Sequence, residues 1–148
     1  MKIIKMGIIL ALVLLFGGCK QKKQYDKTYR LQYFYVEDCG MCANFTKKGI
    51  PLIEAEFGEH MEIIKYDMDD DQTIDEVKKA YDQVLAELID FDEDYYGTGP
   101  FLVLEGYFAQ LGVSDVNNYL DNLIAAINDR KLNKAADNET YYFFKLDN

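Results

Sequence analysis

The sequence predicts an α/β domain in which helices cover both faces of a mixed central sheet. Short runs of aromatic and β-branched residues alternate with longer segments of helical periodicity, in the order strand, helix, strand, helix, hairpin, helix. The first two strands should be parallel through a right-handed crossover, with the hairpin antiparallel beside them. A length of 148 residues suits one such domain.

The first half of the domain is predicted as strand, helix, strand. "RLQYFYV" (residues 30–36) has the composition of a buried strand, and residues 39–57 have helical spacing of their apolar positions. Gly49 and Pro51 should kink or split that helix, because proline removes a backbone donor and clashes with the preceding turn. "MEIIKYDM" (residues 61–68) is predicted to be the second strand.

The second half is predicted as helix, hairpin, helix. Thr73 and Glu76 form a capping-box signature before a helix with one apolar stripe, formed by Ile74, Val77, Tyr81, Leu85 and Leu88. Residues 97–110 read as two strands joined by a Glu105–Gly106 turn. Ser114 is the predicted N-cap of the last helix, and the tail "ETYYFFKLDN" is predicted to be an edge strand.

The N-terminal segment predicts export and a membrane anchor. Residues 1–18 have two lysines, a short apolar run and a Gly17–Gly18 end, which is typical of a signal sequence, and the run is too short for a comfortable membrane span. Cys19 after the two glycines resembles the lipidation site of bacterial lipoproteins. We expect a lipid on Cys19, a tether over residues 19–29, and a location on the extracytoplasmic face of a bacterial membrane. An ordinary signal peptide and an uncleaved anchor are the alternatives.

The charge of the chain disfavours nucleic acid as a partner. The formal net charge is -10, and removal of residues 1–18 takes away two lysines and no acid, which gives -12. Such a chain would repel the phosphate backbone.

Two cysteines three positions apart, in "EDCGMC", pose the main functional question. A structural disulfide is the default in an exported protein, but a bridge between Cys39 and Cys42 closes a very small loop and removes little entropy from the unfolded chain. Zinc requires about four ligands, whereas the mature chain offers these two thiols and His60. A calcium loop after residue 67 lacks its glycine, because Gln72 stands there. We therefore expect no metal.

A reacting pair is the third interpretation, and the predicted structure supports it. Cys39 would lie at the N-terminus of a helix that follows a strand, where free N–H groups and the helix dipole stabilise a thiolate. Cys42 would lie one turn further in, close enough to resolve a mixed disulfide formed on Cys39.

Three segments resemble the thioredoxin-like fold family. "DCGMC" is similar to its active-site motif, "KYDMDDD" to the run that ends its next core strand, and "GTGPFLVLEGYF" to its cis-proline segment and hairpin. The resemblance implies a three-layer α/β/α sandwich with a mixed central sheet over residues 30–148, and a Cys39–Cys42 disulfide in the oxidised state. It also implies that Gly99 and a cis Pro100 bind substrate backbone, and that Lys65 tunes the field near the thiols.

Several residues depart from that family's pattern. Asp38 replaces the usual tryptophan before the first cysteine, Met41 replaces the proline between the cysteines, and Tyr33 aligns with the buried acid of the first strand. Glu37 and Asp38 place negative charge beside Cys39, and this charge should raise the pKa of its thiol against the effect of the helix dipole.

The sequence thus predicts a membrane-anchored thiol–disulfide oxidoreductase, with Cys39 as nucleophile and Cys42 as resolving thiol. It would need no cofactor, and its partners would be exported proteins that carry thiols or disulfides. The competing hypothesis is a redox-inactive binding or assembly module on the same fold, in which the pair is a passive bridge.

Overall fold

The computed structural model describes residues 25–146. Within them the chain forms five strands and four α-helices. Their bounds are β1 Tyr29–Tyr35, α1 Gly40–Asn44, a π-helical turn Phe45–Gly49, α2 Ile50–Phe57, β2 Met61–Asp67, α3 Ile74–Glu87, β3 Phe101–Leu104, β4 Phe108–Leu111, α4 Val116–Ile127 and β5 Thr140–Phe143.

The strands form one mixed sheet in the order β2-β1-β3-β4-β5. β1 and β2 are parallel, and β1 pairs with β3 in the antiparallel sense. The β3–β4 hairpin and the β4–β5 pair are also antiparallel. The predicted parallel pair, hairpin and C-terminal edge strand are therefore confirmed.

Helices pack on both faces of the sheet because residues of β1 alternate between two cores. Leu31 and Tyr33 lie in one apolar cluster with side chains of α1, α2 and α4. Phe34 points to the opposite cluster, which contains Val77 and Tyr81 of α3. Burying a large apolar side chain contributes about 1.5–3 kcal/mol, so the alternation fixes the register of β1 and the orientation of the residues that follow it.

The helix after the cysteines is interrupted, as Gly49 and Pro51 predict. The interruption is a π-helical turn over Phe45–Gly49, after which α2 continues. A Cβ at position 49 would lie 2.5 Å from Cδ2 of Phe45, so the absent side chain lets the ring of Phe45 fold back onto the core.

One predicted helix cap is confirmed in position and one is wrong. Thr73 is the N-cap residue of α3, as predicted, but its side chain makes no capping bond to the helix, because its hydroxyl donates to Asp70 Oδ2 at 3.0 Å instead. Ser114 does not cap α4, since Asp115 accepts the N–H groups of Asn117 and Asn118. The buried stripe of α3 also differs from the predicted stripe at one position: Val84 is buried, whereas Leu85 is only partly buried.

The folded chain begins before residue 30. Tyr25 and Tyr29 belong to the core cluster of α1, α2 and α4, and the Tyr25 hydroxyl donates to Glu56 Oε1 at 2.6 Å. The last five residues assigned to the tether thus include two core side chains. The predicted signal sequence and Cys19 lie outside the described residues. Across residues 25–146, no helix combines the length and apolar character that a membrane span needs.

Candidate active site

Cys39 occupies the junction between β1 and α1. It is the N-cap residue of the helix, with extended backbone angles (φ -118°, ψ 109°), and its Sγ accepts the N–H of Cys42 at 3.0 Å. Its carbonyl oxygen accepts the N–H of Ala43 at 2.9 Å. A sulfur that receives a backbone N–H at a helix start is in the environment that favours thiolate over thiol.

Cys39 and Cys42 form a disulfide, with their Cα atoms 5.1 Å apart. Cys42 is 2% exposed, whereas Cys39 is partly exposed. The two cysteines therefore differ in their accessibility to solvent. An attacking thiol from solvent reaches Cys39 first, because Cys42 is buried.

Gly99 and Pro100 lie against the pair, and their peptide bond is cis, as the resemblance implies. The Gly99 carbonyl oxygen is 3.5 Å from Cys39 Sγ. A Cβ on Gly99 would lie 3.2 Å from Cys42 Sγ and 3.4 Å from the Cα of Tyr35. A side chain at position 99 would force its neighbours to shift, because its Cβ would approach the Cys42 sulfur more closely than ordinary van der Waals contact allows.

Tyr33 contacts Cys42 from the side of the core. Its side chain is fully buried, and its hydroxyl donates to the carbonyl oxygen of Cys42 at 2.9 Å and lies 3.0 Å from Thr46 Oγ1. Burial raises the pKa of the Tyr33 phenol above its ordinary value of 10. The hydroxyl therefore stays protonated at neutral pH and acts as a donor toward the helix.

Comparisons with protein-family models, curated proteins and solved structures found no match. The geometry of the site is therefore the basis for its assignment.

Glu37 and Asp38 are both exposed on the approach to Cys39. The backbone N–H of Glu37 donates to Asp69 Oδ2 at 2.8 Å, which ties the segment before the cysteines to the loop after β2. Lys65 lies exposed on the edge strand β2, in register with Tyr33. None of the hydrogen bonds or ion pairs described for residues 25–146 joins Lys65 to the cysteines.

The described residues offer no cluster of three or more histidine, cysteine or acidic side chains with the geometry of a metal site. His60 lies apart from the cysteines, where its ring contacts Tyr25 and its Nδ1 is 3.2 Å from the carbonyl oxygen of Lys27. The structure thus brings together Cys39, Cys42, Gly99 and Pro100 and leaves His60 outside the site.

One neighbour of the site has no signal in the sequence. The Nδ2 atom of Asn138 is 3.9 Å from the Sδ of Met41, the residue between the cysteines. These residues are 97 positions apart, and no local pattern in the sequence places Asn138, just before the predicted C-terminal strand, near the cysteines. Only the path of the chain from α4 to β5 brings it to the cysteines.

Proposed function

We propose that this chain is a thiol–disulfide oxidoreductase on a thioredoxin-like three-layer α/β/α fold. The observation that carries the proposal is the asymmetric disulfide: a partly exposed Cys39 at a helix start, bonded to a buried Cys42, against a cis Gly99–Pro100 segment. A staple has no need of such asymmetry, whereas exchange needs one sulfur that is attacked and one that resolves.

The reaction in the reducing direction uses two thiol exchanges. The Cys39 thiolate attacks one sulfur of a partner disulfide, forms a mixed disulfide and releases the partner's other sulfur as thiolate. The Cys42 thiolate, after losing its proton to solvent or to the departing thiolate, attacks Cys39 Sγ. The Cys39–Cys42 disulfide forms and the partner leaves as a dithiol, so two electrons pass to the partner. An external dithiol restores the pair, and the oxidising direction is the reverse sequence.

Gly99 supports the binding half of this proposal. Its carbonyl oxygen lies 3.5 Å from Cys39 Sγ, so an extended partner backbone that pairs with Gly99 would lie beside the attacked sulfur. The N-terminal pattern supports a lipid on Cys19 and exported proteins as partners. Glu37, Asp38 and Lys65 are proposed to tune the thiol through charge, which acts over longer distances than hydrogen bonds.

Replacing Cys42 with serine tests the assignment. The variant keeps Cys39 but has no resolving thiol, so we expect mixed disulfides with partner proteins to accumulate in cells that express it. They would be detected as dithiothreitol-sensitive bands on non-reducing gels. A Cys39→Ser/Cys42→Ser variant is the matched control and should trap nothing. If Cys42→Ser traps no more than this control, exchange through Cys39 is rejected.

One observation favours the alternative of a redox-inactive module. The fully buried group beneath Cys42 is the Tyr33 phenol, which burial keeps protonated, so it cannot take the proton of the resolving thiol. In that case the disulfide is passive, and the Cys39→Ser/Cys42→Ser variant should support the same cellular function as the parent chain. Loss of function in this variant, at unchanged protein level, would exclude the alternative.

A further inference from the structure

The segment between α4 and β5 returns to the cysteine end of the molecule. Its residues 136–139, here named the C-terminal loop, contact the site directly at Met41 and indirectly, through Gly112, at Pro100. The Asn138 side chain contacts Met41 between the two cysteines. The backbone carbonyl oxygen of Asn138 covers Gly112, where a Cβ would collide with it. The Gly112 N–H in turn donates to the carbonyl oxygen of Pro100 at 2.9 Å.

The loop is held in place by a buried carboxylate. Glu139 is 7% exposed. One of its oxygens accepts the Ser114 hydroxyl at 2.6 Å and the Ser114 N–H at 2.8 Å, and the other accepts the N–H of Ala136 at 3.1 Å. Burying a carboxylate without hydrogen-bond donors costs free energy, and these three donors offset that cost. Glu139 therefore fixes the loop to the start of α4.

We propose that the C-terminal loop is one wall of the partner-binding site, and that Asn138 is a specificity-determining residue of the exchange reaction. The wall stands beside Met41, so it restricts approach to Cys39 from that side, and the partner backbone would lie along Gly99 on the other side. The partner that fits is a slender, extended segment carrying a cysteine, whereas a cysteine set in a broad folded surface is excluded. This inference rests on the proposed function, since it describes access to its nucleophile.

Two variants change the wall in opposite directions. Both are made in a Cys19→Ser/Cys42→Ser background, so that Cys39 is the one cysteine left to label. Asn138→Trp adds bulk beside Met41. Glu139→Ala removes the carboxylate and frees the loop. Asn128→Trp is the matched control, because Asn128 is an exposed asparagine at the far end of α4. The measurement is the rate of Cys39 alkylation by iodoacetamide and by a maleimide carried on a large polyethylene glycol chain.

We expect Asn138→Trp to slow the large reagent several-fold relative to the small one, and Glu139→Ala to accelerate it. The control should leave the ratio of the two rates unchanged. If the ratio of the two rates in Asn138→Trp equals that of the parent chain, the proposal that the C-terminal loop limits access to Cys39 is rejected. If Glu139→Ala does not fold, Asn138→Trp decides alone.

A parallel assay separates this inference from the proposed function. With Cys42 restored and dithiothreitol as reductant, the parent chain should reduce both a disulfide in an unstructured peptide and oxidised glutathione, and Asn138→Trp should lose activity on the peptide only. Failure of the parent chain with both substrates contradicts the proposed function. Alkylation still tests the wall in that case, because it needs only an accessible Cys39 thiol.

Discussion

Two fully buried tyrosines of the same core differ in what their hydroxyls do. The Tyr33 hydroxyl bonds the Cys42 carbonyl and Thr46. The Tyr119 hydroxyl, equally buried, has no hydrogen-bond partner among the described residues. A buried hydroxyl without a partner costs free energy. A hydroxyl that bonds a backbone carbonyl recovers part of the free energy lost when it left water.

This difference predicts opposite outcomes for the same substitution. Tyr33→Phe should lower the free energy of unfolding by about 1 kcal/mol, because the Cys42 carbonyl loses a donor. Tyr119→Phe should be neutral or stabilising, since it removes a polar atom that has no partner. Urea unfolding of both oxidised variants beside the parent chain measures the difference. Equal losses would show that the bond to Cys42 contributes nothing.

At the scale of elements, the C-terminal loop packs against a glycine in the segment after β4, in addition to its bonds through Glu139. Gly112 has φ +78° and backs directly onto Asn138, whereas Gly106 in the hairpin turn has φ +77° with open space around it. The two glycines share the backbone conformation and differ only in what a side chain would meet, so they form a matched pair.

We expect Gly106→Ala to cost about 1–2 kcal/mol from the left-handed backbone alone. Gly112→Ala should cost clearly more, because its Cβ would also collide with the backbone of Asn138. Thermal unfolding of the two variants compares them, with limited proteolysis after residue 130 as a second readout. If both variants unfold alike, the C-terminal loop does not pack on Gly112 in solution.

The elements that the sequence predicted well are those with a local cause. Alternation in β1, the Glu105–Gly106 turn and the breakers Gly49 and Pro51 act within a few residues, and the structure has each feature where it was expected. The missed helix cap was decided at long range. Ser114 and Asp115 are both good cap residues, and the buried Glu139 takes the serine, so no local rule could choose between them.

At the scale of the whole molecule, buried phenols couple stability to alkaline pH. Burial raises the pKa values of Tyr33, Tyr81 and Tyr119 above the ordinary value of 10. Below pH 10 both the folded and the unfolded chain hold these protons. Above it the unfolded chain releases them first, so stability falls as the pH rises from about 10 through the pKa values of the folded state.

We therefore expect the free energy of unfolding to be independent of these groups up to about pH 9 and to decrease above pH 10, with a slope of at most about 1.4 kcal/mol per pH unit for each buried phenol. Urea unfolding between neutral and alkaline pH measures the slope, and tyrosinate absorbance should rise together with unfolding. Tyr119→Phe should reduce the slope. Full titration of the tyrosines without loss of structure would contradict the coupling.

The packing of Tyr25 places the start of the described chain at the opposite end of β1 from the disulfide. Tyr25 contacts Phe57 at the end of α2 and His60 just before β2, so the chain enters the fold at the end of β1 opposite to Cys39. The seven residues of β1 span about 20 Å. With a lipid on Cys19, as proposed, the bilayer would lie beyond the Tyr25 end. The disulfide would then point away from the lipid and toward proteins that pass through the aqueous space outside the cell membrane.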